Sequence, residues 1–342
     1  MTAHELEITA RALVAPGKGI LAADESHGTI EKRFKGIGVA NTEDNRRAYR
    51  DMLFTTNGVA EFVSGVILFD ETIRQKGLDG TLFPKLLASK GIVPGIKVDA
   101  GTVALPGSPN EKRTQGLDGL RERLAEYKSL GARFAKWRAV ITIGDAIPTR
   151  PCLIDNGRAL ATYAALCQEA GIVPIVEPEV LMDGAHGLDT CYDVTCRTLA
   201  LVFAELLRAH VDLEGMILKP NMVIAGKKSP KQATSVEIAA ATVRCFRHFV
   251  PAAVPGIVFL SGGQSEAEAT ANLSAMNALG KHPWELGFSY GRALQQSTLE
   301  AWRGKKENVA AAQKVYLHRC ELNGAARTGA YKAAMEKELV RA

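Results

Sequence analysis

Eight short apolar runs, most of them edged by glycine or proline, recur along this chain: "GILAAD" (19–24), "SGVILFD" (64–70), "GIVPGIKVD" (91–99), "ARFAKWRAVI" (132–141), "IVPIVEPE" (172–179), "GMILKP" (215–220), "GIVFLSGG" (256–263) and "ELGFSYGR" (285–292). Runs of this length and composition read as strands. Between most of them, apolar residues recur at helical spacing, as in "GLDGLRERLAEYKSLG", "GRALATYAALCQEAG" and "CYDVTCRTLALVFAELLRAH". Alternation of strand and helix leaves two architectures, a closed (β/α)8 barrel and an open doubly wound sheet. No G-x-G-x-x-G follows a strand, and no linker or low-complexity stretch divides the chain. The expectation is therefore an α/β protein with one domain over residues 1–342, a (β/α)8 TIM barrel with a short N-terminal helix and a C-terminal tail region. The length of 342 residues is large for one domain, but barrels of this kind reach it without dividing.

A hydrophobic fraction of 46% with 23% charged residues supports a large core and excludes a disordered chain. The net charge of +5 comes from 42 basic and 37 acidic residues, densest at the Lys-Lys pairs 227–228 and 305–306. So diffuse a positive balance does not point to nucleic acid, and it suits anionic small substrates. No apolar run of about 18 residues is present, and the N-terminus lacks a signal-peptide stretch. The expected protein is soluble and not secreted, with no membrane partner. Six cysteines show neither C-x-x-C nor zinc-type spacing. They read as reduced thiols in the cytoplasm, the alternative being an organellar form freed of a targeting peptide. The seven histidines (4, 27, 186, 210, 248, 282 and 318) form no H-x-x-H or H-E-x-x-H pair, and "DGAHGLD" around His186 reads as a turn. Neither a metal nor another cofactor is expected.

Polar residues gather where the apolar runs end. Asp24 closes the first run, Lys97 and Asp99 the third, and Lys136 and Arg138 lie in the fourth. Glu177 and Glu179 end the fifth, Lys219 the sixth, Ser261 the seventh, and Ser289 and Arg292 the eighth. In a barrel these ends converge on one face, where active sites of the fold lie. Side chains alternate along a strand, so Lys136 and Arg138 share one side of theirs, as Glu177 and Glu179 do. Taken singly, each has an ordinary reading: a turn cap, an ion pair or a solvated helix start. Seven strand ends aiming charges of both signs and hydroxyls at one mouth point instead to a site.

Lys219 sits inside "GMILKPNMV", directly before Pro220. Such a lysine can simply pack its stem and extend its amine to water. A desolvated amine among carboxylates is also suited to imine formation with a ketone, which needs a neighbouring acid and base. Lys97, Arg138, Arg292 and the turns "SGG" (261–263) and "SYGR" (289–292) are suited to phosphate groups, through charge and through backbone N–H groups at helix entries. Arg33, in "EKRFKGIG", is a possible second-site contact or a surface helix residue.

Taken in order, "GILAADES", "GIKVDAG", "FAKWRAVITI", "PIVEPEV", "LKPNMV", "FLSGGQSE" and "FSYGRALQ" resemble the motifs of class I fructose-1,6-bisphosphate aldolases. The resemblance extends over "NTEDNRRAYRDMLF" and "TQGLDGLRERLAEYKSLGARFAKWR", and so from about residue 10 to 330. It implies reversible cleavage of fructose 1,6-bisphosphate to dihydroxyacetone phosphate and glyceraldehyde 3-phosphate through a lysine Schiff base, in glycolysis and gluconeogenesis. It further implies that Lys219 forms the imine, that Glu177 is the general acid and base, that Asp24 assists at the C4 hydroxyl, and that Lys136 and Glu179 tune charge. By the same resemblance Ser261, Gly262, Gly291 and Arg292 hold the C1-phosphate, Ser26, Lys97 and Arg138 the C6-phosphate, Arg33 serves both, and Ser289 is a further substrate or phosphate contact. A homotetramer is likewise implied. The motifs do not set the preference between fructose 1,6-bisphosphate and fructose 1-phosphate. The pattern departs after Tyr331, where many members carry a tail ending in tyrosine. Here residues 332–342 read as a terminal helix without a catalytic part, with Ala334, Leu339 and Val340 available to dock. The competing functions are a metal-dependent aldolase and a barrel serving chiefly as a binding or scaffold protein.

Overall fold

In the computed structural model, which describes residues 3–341 and side chains through Lys337, ten strands form in chain order. They are β1 (Gly19–Ala23), β2 (Val63–Leu68), β3 (Val93–Lys97), β4 (Thr102–Leu105), β5 (Ser108–Thr114), β6 (Phe134–Ile141), β7 (Val173–Val180), β8 (Ile217–Leu218), β9 (Gly256–Phe259) and β10 (Glu285–Tyr290). The α-helices are α1 (Ala3–Leu13), α2 (His27–Gly36), α3 (Glu43–Thr55), α4 (Asp70–Arg74), α5 (Phe83–Ser89) and α6 (Leu120–Ser129). They continue with α7 (Arg150–Glu169), α8 (Leu188–Arg208), α9 (Ser235–Phe249), α10 (Glu266–Asn277), α11 (Arg292–Trp302) and α12 (Val309–Ala326). Eight strands close into a parallel barrel in the order β1-β10-β9-β8-β7-β6-β3-β2. Each of the eight apolar runs supplies one of these strands, and closure removes the doubly wound alternative.

The period of two decides what faces inward. Ile20, Ala22, Ile67, Phe134, Val173, Ile175, Ile217 and Val258 pack together inside the barrel, with Val93 against them. The intervening residues, such as Leu21, Val66, Ala135, Val176 and Leu218, pack in the separate layer beneath the helices, where Trp137 stacks on Tyr163 at 5.6 Å. Phe134 is too large for a crowded ring of strands: a Cβ on Gly95 would lie 2.3 Å from its ring. Gly95 is therefore the partner that lets Phe134 fill the barrel. At the N-terminal end, Leu6, Ala10, Leu13 and Val14 of α1 and its exit join the same apolar cluster. That end is thereby stoppered, leaving the other as the open mouth.

Three expectations need correction. The sixth strand is only Ile217–Leu218, because Pro220 has no N–H to continue the ladder. Lys219 still donates its backbone N–H to Val176 O at 2.8 Å, so it keeps a strand-like position. A second sheet, the antiparallel hairpin β4–β5, was not anticipated. Its "LPGS" turn, with Gly107 at φ 75°, carries the Pro-Gly signal that marks such hairpins. At the C-terminus Ala333–Arg341 is a 3-10 helix. Ala334 is exposed rather than docked, and the side chains of Leu339 and Val340 lie outside the described residues. Among the described side chains the segment is held by Glu336, which accepts from buried Arg319 at 2.6 and 2.7 Å and from Tyr331 Oη at 2.8 Å.

Candidate functional site

The inward rows of the barrel run upward from apolar to charged. On β7 the row Val173, Ile175 continues as Glu177 and Glu179, and on β6 Phe134 is followed by Lys136 and Arg138. Val93 leads to Lys97, Ile217 to Lys219, and Ala22 to Asp24 just past β1. Around them opens a cavity of about 670 Å³. Asp24, Ser26, Arg33, Lys97, Lys136, Arg138, Glu177, Glu179, Lys219, Ser261, Gly262, Ser289, Gly291 and Arg292 all line it. Every residue to which the motifs assign a catalytic or phosphate-binding role is among them.

Lys136 is the electrostatic centre of the cavity. Its Nζ is 2.7 Å from Asp24 Oδ2, 3.6 Å from Glu177 Oε2 and 3.8 Å from Asp99 Oδ2. Burial alone would raise the Asp24 carboxyl, but the charges of Lys136 and then Lys219, with the Lys136 hydrogen bond, hold it well below the usual carboxylate range. Burial would likewise lower the Lys136 ammonium, yet Asp24, Glu177 and Asp99 together raise it. Both groups are therefore locked in their charged forms at neutral pH.

This lock has a pH signature. Asp24 has a lower pKa folded than unfolded, so its charge adds stability that is present above the unfolded value of about 3.9 and is lost as pH falls toward the folded one. In urea titrations Asp24→Asn is expected to be less stable than the parent at pH 7. The margin should stay level down to about pH 5 and then shrink with acid. A margin that is unchanged at pH 3 would count against the Asp24–Lys136 lock.

Lys219 Nζ lies 3.3 Å from Glu177 Oε1, and its side chain is 5% exposed, at the cavity wall. Glu177 Oε2 has no hydrogen-bond donor among the described residues. Glu179, in contrast, is taken up by Arg138 Nε at 2.5 Å. Lys97 is tied to Asp99, both to its Oδ1 and to its backbone oxygen at 2.7 Å. Glu177 thus lies between Lys219 and Lys136, as Asp99 lies between Lys97 and Lys136.

At the rim formed beyond β9 and β10, Arg292 meets no carboxylate among the described residues. Its guanidinium donates to Gln264 O at 3.0 Å and Gly262 O at 3.4 Å. Gly262 has φ 57°, a left-handed conformation that glycine adopts without strain. Ser289 Oγ is buried with no partner, and α11 begins at Arg292 with its free N–H groups toward this rim. A cation, an unsatisfied hydroxyl and a helix N-terminus together make an anion site. On the other rim, Ser26 opens α2, its Oγ 3.2 Å from Thr29 Oγ1.

Sequence reasoning overlooked Glu25. Its buried carboxylate pairs with Arg33 and, at 2.6 Å, with Arg50 of α3, and it accepts from Gln295 Nε2 at 3.0 Å. Tyr49 Oη in turn donates to Gln295 Oε1 at 2.9 Å. Glu25 so fixes Arg33 at the cavity and ties it to the helix that begins with Arg292. It lies past the strand end, where the alternation that marked Asp24 no longer applies; only its place in an acidic pair after an apolar run could have marked it. Asp99 was noted as a strand-end residue without a role, and its contacts to Lys97 and Lys136 supply one.

Comparison with known proteins agrees over nearly the whole chain. A family model described as fructose-bisphosphate aldolase class-I matches residues 5–341. A cytosolic relative from Arabidopsis thaliana, fructose-bisphosphate aldolase 6, is 57% identical over 331 residues, covering 96% of this chain and 92% of the relative. The fructose-bisphosphate aldolase of Dictyostelium discoideum is 55% identical over 332 residues, covering 96% and 93%. Among solved structures, the Plasmodium falciparum aldolase, in complex with TRAP and a small-molecule inhibitor, superimposes with a TM-score of 0.96 at 53% identity, covering 97% of this chain and 96% of that one.

Proposed function

The chain belongs to the class I fructose-bisphosphate aldolase family and is a carbon–carbon lyase of that kind; from this premise we propose that it cleaves fructose 1,6-bisphosphate reversibly through a Schiff base on Lys219. The observation that carries the reading is the Lys219 amine 3.3 Å from Glu177, in a cavity whose Arg292 rim is an unpaired anion site.

In this reading the neutral Lys219 amine adds to the C2 carbonyl of the open-chain ketose, and Glu177 delivers the proton with which the carbinolamine hydroxyl leaves as water. Lys136, 3.6 Å from Glu177, keeps that carboxylate compensated while Lys219 is uncharged. Glu177 then takes the proton of the C4 hydroxyl, with Asp24 holding that hydroxyl. The C3–C4 bond breaks, its electron pair enters the protonated imine to give a neutral enamine, and glyceraldehyde 3-phosphate leaves. Protonation at C3 and hydrolysis of the imine release dihydroxyacetone phosphate and restore Lys219. Ser261, Gly262, Ser289, Gly291 and Arg292 hold the C1-phosphate. Ser26, Lys97 and Arg138 receive the C6-phosphate, with Arg33 reaching either, and Glu179 orients Arg138. The physiological setting is glycolysis and gluconeogenesis in the cytoplasm, with one catalytic domain per chain and a homotetramer as the assembly. A cytosolic relative supports the compartment, and among the described residues no helix is long and apolar enough to cross a membrane.

The test is product analysis with fructose 1,6-bisphosphate and fructose 1-phosphate, with and without EDTA. Triose phosphates should form from the bisphosphate at a rate EDTA leaves unchanged. Loss on chelation with recovery on adding zinc would favour a metal-dependent route instead. A second expectation concerns the phosphate rim. Arg292→Ala removes a charge-assisted contact of about 1.5–3 kcal/mol, so KM should rise roughly 10–100-fold. An unchanged KM would move the C1-phosphate away from Arg292.

A further inference from the structure

Away from the mouth, α8 and α9 bring two thiols together. Cys196 Sγ and Cys245 Sγ stand 3.0 Å apart although the residues are 49 positions apart in sequence. The two sulfurs differ in access. Cys245 is fully buried, whereas Cys196 is 7% exposed, more than any of the other five cysteines. Cys196 also forms part of the wall of a surface cavity of about 450 Å³, together with Tyr192, Asp193, Arg197, His248 and Phe249. Arg197 and His248 line the cavity beside Asp193, and Arg244 lies over the Tyr192 ring at 4.3 Å. The thiolate is the reactive form of cysteine, and Cys196 is the member of the pair that a solute in this cavity can reach.

We propose that Cys196 and Cys245 are a modification site at which a hydroperoxide entering through this cavity closes a disulfide between α8 and α9. Cys196 thiolate attacks the terminal peroxide oxygen, the O–O bond breaks, and with one proton from solvent the products are Cys196 sulfenic acid and the alcohol of the hydroperoxide, which is water when the oxidant is hydrogen peroxide. Cys245 then attacks the Cys196 sulfur; the S–O bond breaks, and the hydroxyl leaves as water with the Cys245 proton. Two thiols lose two electrons in total and one peroxide gains them. Burial pushes the Cys245 thiol up, which suits the resolving partner rather than the first to react. The remaining four cysteines are at most 1% exposed, and none is placed against another sulfur in the hydrogen-bond network of the described residues.

The link would close behind the strands that present the site. Thr195, next to Cys196, accepts from Asn221 Nδ2 at 3.1 Å, and Asn221 Oδ1 accepts from Val180 N at 3.0 Å. Asn221 follows Lys219 by two residues, and Val180 follows Glu179. The cross-link therefore fastens α9 to a helix already pinned to both strand ends.

The experiment uses the native protein treated with hydrogen peroxide, quenched, blocked with an alkylating agent under denaturing conditions and digested without reduction. The expected product is a linked Cys196–Cys245 peptide, lighter by two hydrogens than its separate parts and released by dithiothreitol. In Cys245→Ser, Cys196 should instead stop at the sulfenic acid and be captured by dimedone. Recovery of both cysteines alkylated after peroxide, or oxidation of Cys196 to sulfinic acid in the parent with no linked peptide, overturns the proposal.

Discussion

Lys219→Met is expected to lower kcat/KM for fructose 1,6-bisphosphate by at least about 10⁴-fold while the barrel stays folded, because methionine keeps the stem but has no nucleophile. The structure gives the reason for choosing this lysine over its neighbour. Lys136 is held as an ammonium by Asp24, Glu177 and Asp99, and an ammonium has no lone pair to add to a carbonyl. Lys97 is fastened twice to Asp99. Borohydride with dihydroxyacetone phosphate should therefore fix a covalent adduct on the peptide bearing Lys219 in the parent and none in the variant. An adduct on Lys136, or none in the parent, would sink the assignment.

Glu177→Gln should cut kcat by roughly 10²–10⁴ with a smaller change in KM, since the amide fills the same space but cannot carry the proton. The choice between the two glutamates on the inward row of β7 rests on occupancy. Glu179 is engaged by Arg138 at 2.5 Å, whereas Glu177 Oε2 has no hydrogen-bond donor among the described residues and its other oxygen faces Lys219. If KM rises and kcat holds, Glu177 belongs to substrate binding and the proton carrier must be sought elsewhere, with Asp24 the next group on the same wall.

How much of this was legible in sequence follows from which forces are local. Alternation along a strand is local, so the apolar runs and their polar ends gave both the barrel and the residues around its mouth. Lys136 and Arg138 could be placed on one face from their spacing alone. What spacing cannot give is the partner across the barrel. That Asp24 rather than Glu177 lies nearest Lys136 depends on how β1 and β6 approach at the mouth. Glu25 shows the same limit, being held by residues from α2, α3 and α11. Cys196 and Cys245 meet only because two helices pack side by side. The β4–β5 hairpin was legible in principle from its Pro-Gly turn but fell outside the strand–helix alternation. At the C-terminus, Ala334 does not dock as expected, and Glu336 supplies the counter-charge that buried Arg319 requires.

Closure of the barrel by its first and last strands sets a constraint during synthesis. β1 pairs with β10, Ile20 lying beside Ser289, and Gln295 donates to Ala22 O across 273 positions of sequence. A ribosome adding about 5–20 residues per second needs on the order of tens of seconds between those two segments. Throughout that interval the stopper helix α1 and the inner row of β1 have no closed ring to enter, and β1 has one unpaired edge. The nascent chain must keep that edge from joining another molecule until the last strand arrives, a demand that falls on the chain before the finished barrel exists.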